Sequence, residues 1–491
     1  MSPVNPGPAR AKTRNVARRE VDPARQVAWK TLRAVAQRDA YANLELLDQL
    51  RFAKLHGRDA AFATELAYGT LRGQGTYDAV LAACVDRPLD AVDPGVLDAL
   101  RLGVHQLLAM RVPAHAAVAA TVDLVRADIG QGAAGFANAV LRKVAGHDLD
   151  EWIASAAPDA ATDPDGHLAV AQSHPVWIVR AMRDALVLAG RPAAELPALL
   201  AADNVRPAVT LAALPGLADP ADLVAHGAEP GVLSPVSVTV TGAPDDVAAV
   251  REGRARVQDE GSQLVALALA GAELSGPDAG RWLDLCAGPG GKAALLGATL
   301  AQRRAAGALP AGAALVAGEL AGHRVGLVKG SVRAVLAAAP GSIVVREGDG
   351  TGVGEDEPDR YDRVLVDAPC TGLGALRRRP EARWRRTPAD LAALGPLQRA
   401  LLRSALDAVR PGGVVAYVTC SPHPAETRAV VSDVLKKRDD VELLDAREVF
   451  SVASGGRVGE LDSMGPGPSA QLWPHLHGCD AMYLALLRKL S

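Results

Sequence analysis

Two of the five cysteines stand where a strong nucleophile is useful. Cys370 ends the tetrapeptide Asp367-Ala368-Pro369-Cys370 after the strand-like run 361–366, and Cys420 follows the run 413–419 and precedes Ser421-Pro422. A thiolate can add to C6 of a pyrimidine and turn C5, otherwise unreactive towards an electrophile, into an enolate-like nucleophile. Residues at the ends of adjacent strands can face one pocket however long the chain between them, so both thiols can serve one base. The alternative is a pair of buried structural cysteines; their matched strand-end positions favour the pocket. Cys286 also ends a strand, inside a glycine-rich turn, whereas Cys84 and Cys479 read as core. CxxC spacing is absent, which argues against a zinc knuckle or a disulfide framework and for a reducing cytosolic compartment.

The glycine-rich turn lies in R-W-L-D-L-C-A-G-P-G-G-K-A-A-L-L (281–296), a short buried strand, a loop, and a helix opened by Lys292. Glycines admit a ligand close to the backbone, and the helix start offers free N–H groups and partial positive charge. Such a cradle suits a phosphate or the carboxylate of S-adenosylmethionine (SAM) equally. G-x-x-x-x-G-K-[ST] is missing, which removes a P-loop nucleotidase. Acids at successive strand ends favour SAM. Glu319 ends A-L-V-A-G-E, where a carboxylate can accept from both ribose hydroxyls. Asp349, in R-E-G-D-G-T, can accept from an adenine amino group. After Asp367 the loop differs from the Asn/Asp-Pro-Pro-aromatic pattern with which methyltransferases of exocyclic amines stack their base, because a thiol replaces the aromatic ring.

A net charge of −3 leaves no global nucleic-acid signature, so an RNA surface must be local. The stretch L-R-R-R-P-E-A-R-W-R-R (376–386), just after Cys370, supplies one. Arg377, Arg378, Arg379, Arg383, Arg385 and Arg386 can track phosphates, and Trp384 can stack on a base. A solvated charged loop is the plainer alternative. His423 reads as a loop residue.

These side chains need a scaffold. From residue 251 onwards, strands at 281–285, 314–318, 343–346, 362–366 and 413–419 alternate with helices at 260–270, 292–303, 321–337, 388–409 and 425–436. The alternation predicts an α/β Rossmann-like domain, a mostly parallel sheet covered on both faces with ligands beyond the carboxyl ends of its strands. Residues 22–150 show apolar steps of three and four throughout, as in Val96/Leu100/Val104/Leu107, and are expected to be all-α. Residues 166–250 read as a small α+β linker domain, a spacer or an RNA platform. Residues 1–21 read as a disordered basic tail or an RNA-touching arm. The chain is therefore multidomain, and no apolar run is long enough to span a bilayer.

In order, V-Q-D-E-G-S-Q-L (257–264), C-A-G-P-G-G-K (286–292), D-A-P-C (367–370) and T-C-S-P (419–422) resemble the RNA 5-methylcytosine methyltransferases of the RsmB/Sun (Fmu, NOL/NOP/Sun) family. D-P-A-R-Q-V-A, E-L-A-Y-G-T-L-R and N-A-V-L-R-K, within 22–150, resemble the NusB-like RNA-binding fold. The resemblance implies a class I SAM-dependent methyltransferase domain at 251–491 acting on RNA, 16S ribosomal RNA for the RsmB branch, in the cytoplasm and without a metal. It also implies that Cys286, Ala287, Gly288, Pro289, Gly290, Gly291, Lys292, Glu319, Asp349 and Asp367 hold SAM. By the same resemblance Asp367 contacts cytosine near N3, Cys420 is the nucleophile that forms a covalent bond to C6, and Cys370 assists release of the product. E-L-A-G-H-R (319–324) departs from the fuller His-Pro-His-Arg form, which bears on the adenosine contacts. Nothing suggests an obligate dimer, so a monomer is expected. Two rival readings are the same chemistry on transfer RNA, which the helical N-terminal domain disfavours, and an RNA-binding ribosome assembly factor without catalysis. Against the latter, every residue needed for cofactor and chemistry is present.

Overall fold

The computed structural model describes residues 21–38 and 40–490, so the basic tail expected at 1–21 lies almost wholly outside the described residues. Two compact units divide between Ala156 and Ala157.

The first unit is helical, with helices Pro23–Arg38, Ala42–Ala53, Gly57–Cys84, Pro94–Leu108, Ala114–Asp128, Gln131–Val144 and Leu149–Ala156. The apolar steps in the sequence become buried faces. Val27, Leu32 and Val35 pack with Leu66 and Leu71, while Val96, Leu100 and Val104 pack with Val122, Val125 and Val140. Asp93 starts one helix by accepting from the N–H groups of Gly95 and Val96, with Pro94 in the first turn. Such a cap is worth about 1 kcal/mol.

The second unit opens with helices Pro164–Ala171, Val176–Leu188 and Leu196–Asp203. A small antiparallel sheet follows, made of β1 (Val209–Ala213), β2 (Glu229–Pro230), β3 (Ser237–Val240) and β4 (Ala255–Val257) in the order β2-β3-β1-β4. The large sheet holds β5 (Arg281–Asp284), β6 (Ala314–Glu319), β7 (Ile343–Glu347), β8 (Tyr361–Asp367), β9 (Val409–Thr419), β10 (Val441–Leu444), β11 (Ala470–Gln471) and β12 (Tyr483–Lys489). Its order is β10-β12-β9-β8-β5-β6-β7, with β11 beside β12. The parallel part, β5 to β9, is the set of five strands predicted from the alternation, with β9 beginning earlier than expected. The antiparallel edge formed by β12 and β10 was not among the predicted strands. Five residues of β12 in a row are buried, and a short continuous apolar run cannot be told from a buried helix by its pattern.

Both faces are covered because alternate strand residues point oppositely. Trp282, Leu365, Val414, Ala416 and Val418 join one core with helices Glu260–Gly271, Gly291–Ala305 and Gly322–Ala338. Leu283, Val364, Val366, Val415 and Tyr417 join the other with helices Pro388–Ala408 and Arg428–Leu435. No helix among the described residues is long and apolar enough to cross a membrane.

Candidate active site

β8 and β9 pair in parallel with Asp367 opposite Val418, which sets their carboxyl ends side by side. The loops beyond them bring the Sγ atoms of Cys370 and Cys420 to 3.4 Å. The segments are stitched by backbone bonds: Gly374 N–H donates to the Cys420 carbonyl at 2.8 Å, and Ala481 N–H donates to the Gly374 carbonyl at 2.8 Å. A Cβ on Gly374 would sit 2.2 Å from the Ala481 carbonyl oxygen, so only glycine permits this approach. Within the pair, the hydrogen bond from Cys370 holds the Cys420 thiol below its usual pKa, with help from the charges of Lys292 and Arg379. Cys370 is raised by the same bond and by burial, and the charge of Glu426 adds to this. Of the two thiols, Cys420 is therefore the one whose ionisation is favoured and Cys370 the readier donor.

Lys292, in the first turn of its helix, crosses to the end of β8 and places Nζ 2.8 Å from Asp367 Oδ2. The ammonium is thus paired with a carboxylate of the site, and its charge is felt at Cys420. Lys292→Met should move the rising acid limb of the pH–rate profile upward. The sign follows from the expectation that Cys420 reacts as a thiolate, since losing a nearby cation favours the protonated thiol. A shift of about one unit, or roughly tenfold in rate below that limb, is expected in single-turnover methyl transfer measured against pH.

The glycine turn is locked to the end of β6. Gly288 N–H donates to Glu319 Oε2 at 3.1 Å, Ala321 N–H donates to Oε1 at 3.0 Å, and Arg324 donates to the Gly288 carbonyl at 2.7 Å. Ala287 N–H donates to the Gly318 carbonyl, and Ser331 Oγ donates to the Pro289 carbonyl. Gly290 has φ +107°, and a Cβ there would lie 2.5 Å from that of Ser331. Gly291 then begins the helix that carries Lys292. The thiol of Cys286 is raised by burial and by Asp284. Asp349 is exposed, and its Oδ1 accepts from the N–H and hydroxyl of Thr351 in the turn after β7.

The arginine stretch is corrected by the structure. Arg383 is fully buried and donates to the carbonyls of Ser173 and Asp203 and to Asn204 Oδ1, so it anchors helices rather than offering a cation to phosphate. Arg377 is buried, donating to the Gly478 carbonyl at 2.7 Å and facing Asp259 Oδ2 at 3.4 Å. Arg378 is bound to Asp480. Desolvation explains Arg377 and Arg383, because a buried guanidinium must find carbonyls and carboxylates inside the protein, whereas the Arg378 side chain is 38% exposed beside Asp480. Arg379 is exposed, Trp384, Arg385 and Arg386 are half-buried, and Arg386 Nε donates to the Thr371 carbonyl at 3.2 Å. Consecutive arginines in sequence carry no sign of which will be drawn inward.

Sequence reasoning passed over Asp284, Glu426 and Gln398. Both carboxylate oxygens of Asp284, at the end of β5, are buried without a hydrogen-bond partner. Burial, and then the charge of Asp367, pushes its pKa up to about 7. Its place two residues before Cys286 was the available signal. Glu426 lies six residues beyond Cys420 and is fully buried. Gln398, in the middle of an amphipathic helix, left no trace in the pattern.

With this geometry in view, comparison with known proteins is informative. Residues 272–488 match the family model for 16S rRNA methyltransferase RsmB/F, and residues 22–146 match the NusB family. The protein Rv1407 of Mycobacterium tuberculosis (strain ATCC 25618 / H37Rv) is 51% identical, over 98% of this chain and 99% of its own. The ribosomal RNA small subunit methyltransferase B of Pseudomonas syringae pv. tomato is 30% identical, over 95% of this chain and 97% of its own. The crystal structure of PH0851 is similar in fold, with a TM-score of 0.74 at 21% identity, over 96% of this chain and 99% of that one.

Proposed function

Because this chain belongs to the RsmB/F family of 16S rRNA methyltransferases, we propose that it transfers a methyl group from SAM to C5 of a cytosine in 16S ribosomal RNA, through a covalent Cys420–C6 adduct. The observation that carries the reading is the pair of thiols at 3.4 Å, with ionisation favoured at Cys420 and disfavoured at Cys370. A methyltransferase of amines needs neither.

The residues around the glycine turn suit SAM. At Gly288 and Gly290 a Cβ would run into Glu319 and Ser331, so glycine lets the turn close onto the end of β6, and the helix start beyond it offers N–H groups to a carboxylate. Asp284 holds an unpartnered buried carboxyl beside that turn, fitted to a cationic group. Glu319 keeps lone pairs beyond its two backbone bonds for ribose hydroxyls, and Asp349 at the end of β7 serves the adenine edge. When bound, SAM supplies an electrophilic methyl group.

The chain's own residues do the rest. The target cytosine leaves its stack to enter the site. Asp367, backed by Lys292, holds the cytosine edge near N3 and favours negative charge building up at C5. The Cys420 thiolate adds to C6, and C5 becomes the nucleophile that takes the methyl group. A base then removes the C5 proton, the C5–C6 double bond re-forms, and the C6–S bond breaks to return the thiolate to Cys420. The Cys370 thiol, donating to that sulfur, stabilises the departing charge.

Bisulfite sequencing of total RNA from cells with and without this protein tests the assignment. A 16S cytosine that loses protection without the protein is the expected result. A change confined to transfer RNA would reassign the substrate, and no change in any RNA would refute the activity. For RNA docking, the exposed Arg379 and the half-buried Arg378, Trp384, Arg385 and Arg386 are the surviving candidates. Arg379→Ala combined with Arg386→Ala should reduce the salt slope of RNA binding by about one to two. An unchanged slope in filter binding would remove them.

A further inference from the structure

Cys370 has no regular secondary structure of its own to hold it, yet both its chain neighbours are tied down. The Pro369 carbonyl accepts from Gln398 Nε2 at 2.8 Å. On the other side, Thr371 N–H donates to Glu426 Oε1 at 2.8 Å and Thr371 Oγ1 donates to Glu426 Oε2 at 2.5 Å. Gln398 Nε2 also reaches Glu426 Oε1 at 3.2 Å, closing the clamp. Glu426 comes from the Cys420 side, where Tyr417 Oη donates to its backbone carbonyl at 2.8 Å. Thr371 Oγ1 lies 3.3 Å from Ser421 Oγ, next to Cys420. One buried carboxylate thus joins the loop of one thiol to the segment of the other.

A buried carboxylate is a costly way to join two loops, since an apolar contact of similar size is commonly no less stable. What the carboxylate provides is direction. Two oxygens fix both the backbone and the hydroxyl of Thr371, and so the orientation of the residue before it. The negative charge also disfavours a second thiolate, leaving Cys370 as the donor.

Resting on the roles given above to Cys420 and Cys370, we infer that Glu426 is a positioning residue for product release: by binding Thr371 and Gln398 it holds the Cys370 thiol against the sulfur of Cys420. It touches neither RNA nor cofactor in this reading, and its loss slows the breaking of the C6–S bond while leaving methyl transfer within the bound complex in place.

The test uses the full chain, SAM and 16S rRNA isolated from cells that lack this protein. Glu426→Gln keeps the shape but turns a donor towards donors. Thr371→Val removes one bond from the partner side, and Thr371→Ser retains it. SDS-stable RNA adduct should rise about tenfold for Glu426→Gln and Thr371→Val, with kcat reduced similarly and KM for SAM unchanged, while Thr371→Ser resembles the parent. Glu426→Gln added to Cys370→Ala should change nothing further, because both act on one step. If Cys370→Ala traps the adduct but Glu426→Gln and Thr371→Val do not, the positioning inference is wrong. If Cys370→Ala itself traps nothing, the release reading beneath it fails first.

Discussion

Cys420→Ala should reduce single-turnover methyl transfer to 16S rRNA by at least about a thousandfold, which is about 4 kcal/mol of barrier. The magnitude follows from the carbon acceptor. Without addition at C6, C5 of cytosine has no electron pair to offer, and no other group in the site can supply one. Cys370, the thiol beside it, is the member of the pair whose ionisation is disfavoured. SAM binding should persist, because the glycine turn, Glu319 and Asp284 take no support from the Cys420 side chain. Equilibrium dialysis with labelled SAM alongside the methylation assay separates the two. Full transfer by the variant would sink the covalent mechanism outright.

Cys370→Ala has the opposite signature. The first turnover should proceed within a few-fold of the parent rate, whereas steady-state kcat falls by about a hundredfold as enzyme accumulates on RNA. Removing the donor leaves the departing sulfur without its hydrogen bond in a half-buried site, where such a bond to a charge is stronger than in water. Denaturing gels should show a band of enzyme covalently joined to RNA, and Cys370→Ala combined with Cys420→Ala should abolish it. An adduct that survives the double change would assign the nucleophile to another residue. No adduct from Cys370→Ala, with normal turnover, would leave that thiol without a role in release.

The site was legible in the sequence to the extent that its residues end strands. Cys370, Cys420, Glu319 and Asp367 each close an apolar run, and parallel strands deliver such positions to one edge of a sheet. The glycine turn was equally plain, since close approach and a positive φ at Gly290 demand that residue type. Arg377 and Arg383 were misjudged for a complementary reason. Their partners Asp259, Gly478 and Ser173 lie some hundred to two hundred residues away, so local charge counting saw cations where the fold makes buried ion pairs and carbonyl contacts.

The five parallel strands, the residue types at their ends and the helical character of the first unit follow from pattern and period, because alternation and three-to-four-residue steps are local consequences of backbone geometry, whereas the roles of those residues came from a family resemblance. Tertiary structure alone decided which cations stay in water, which thiol is the easier to ionise, and which carboxylate, Glu426, ties the loop of one thiol to the segment of the other. Those outcomes depend on distance and desolvation between segments far apart in the chain, quantities that no local pattern encodes.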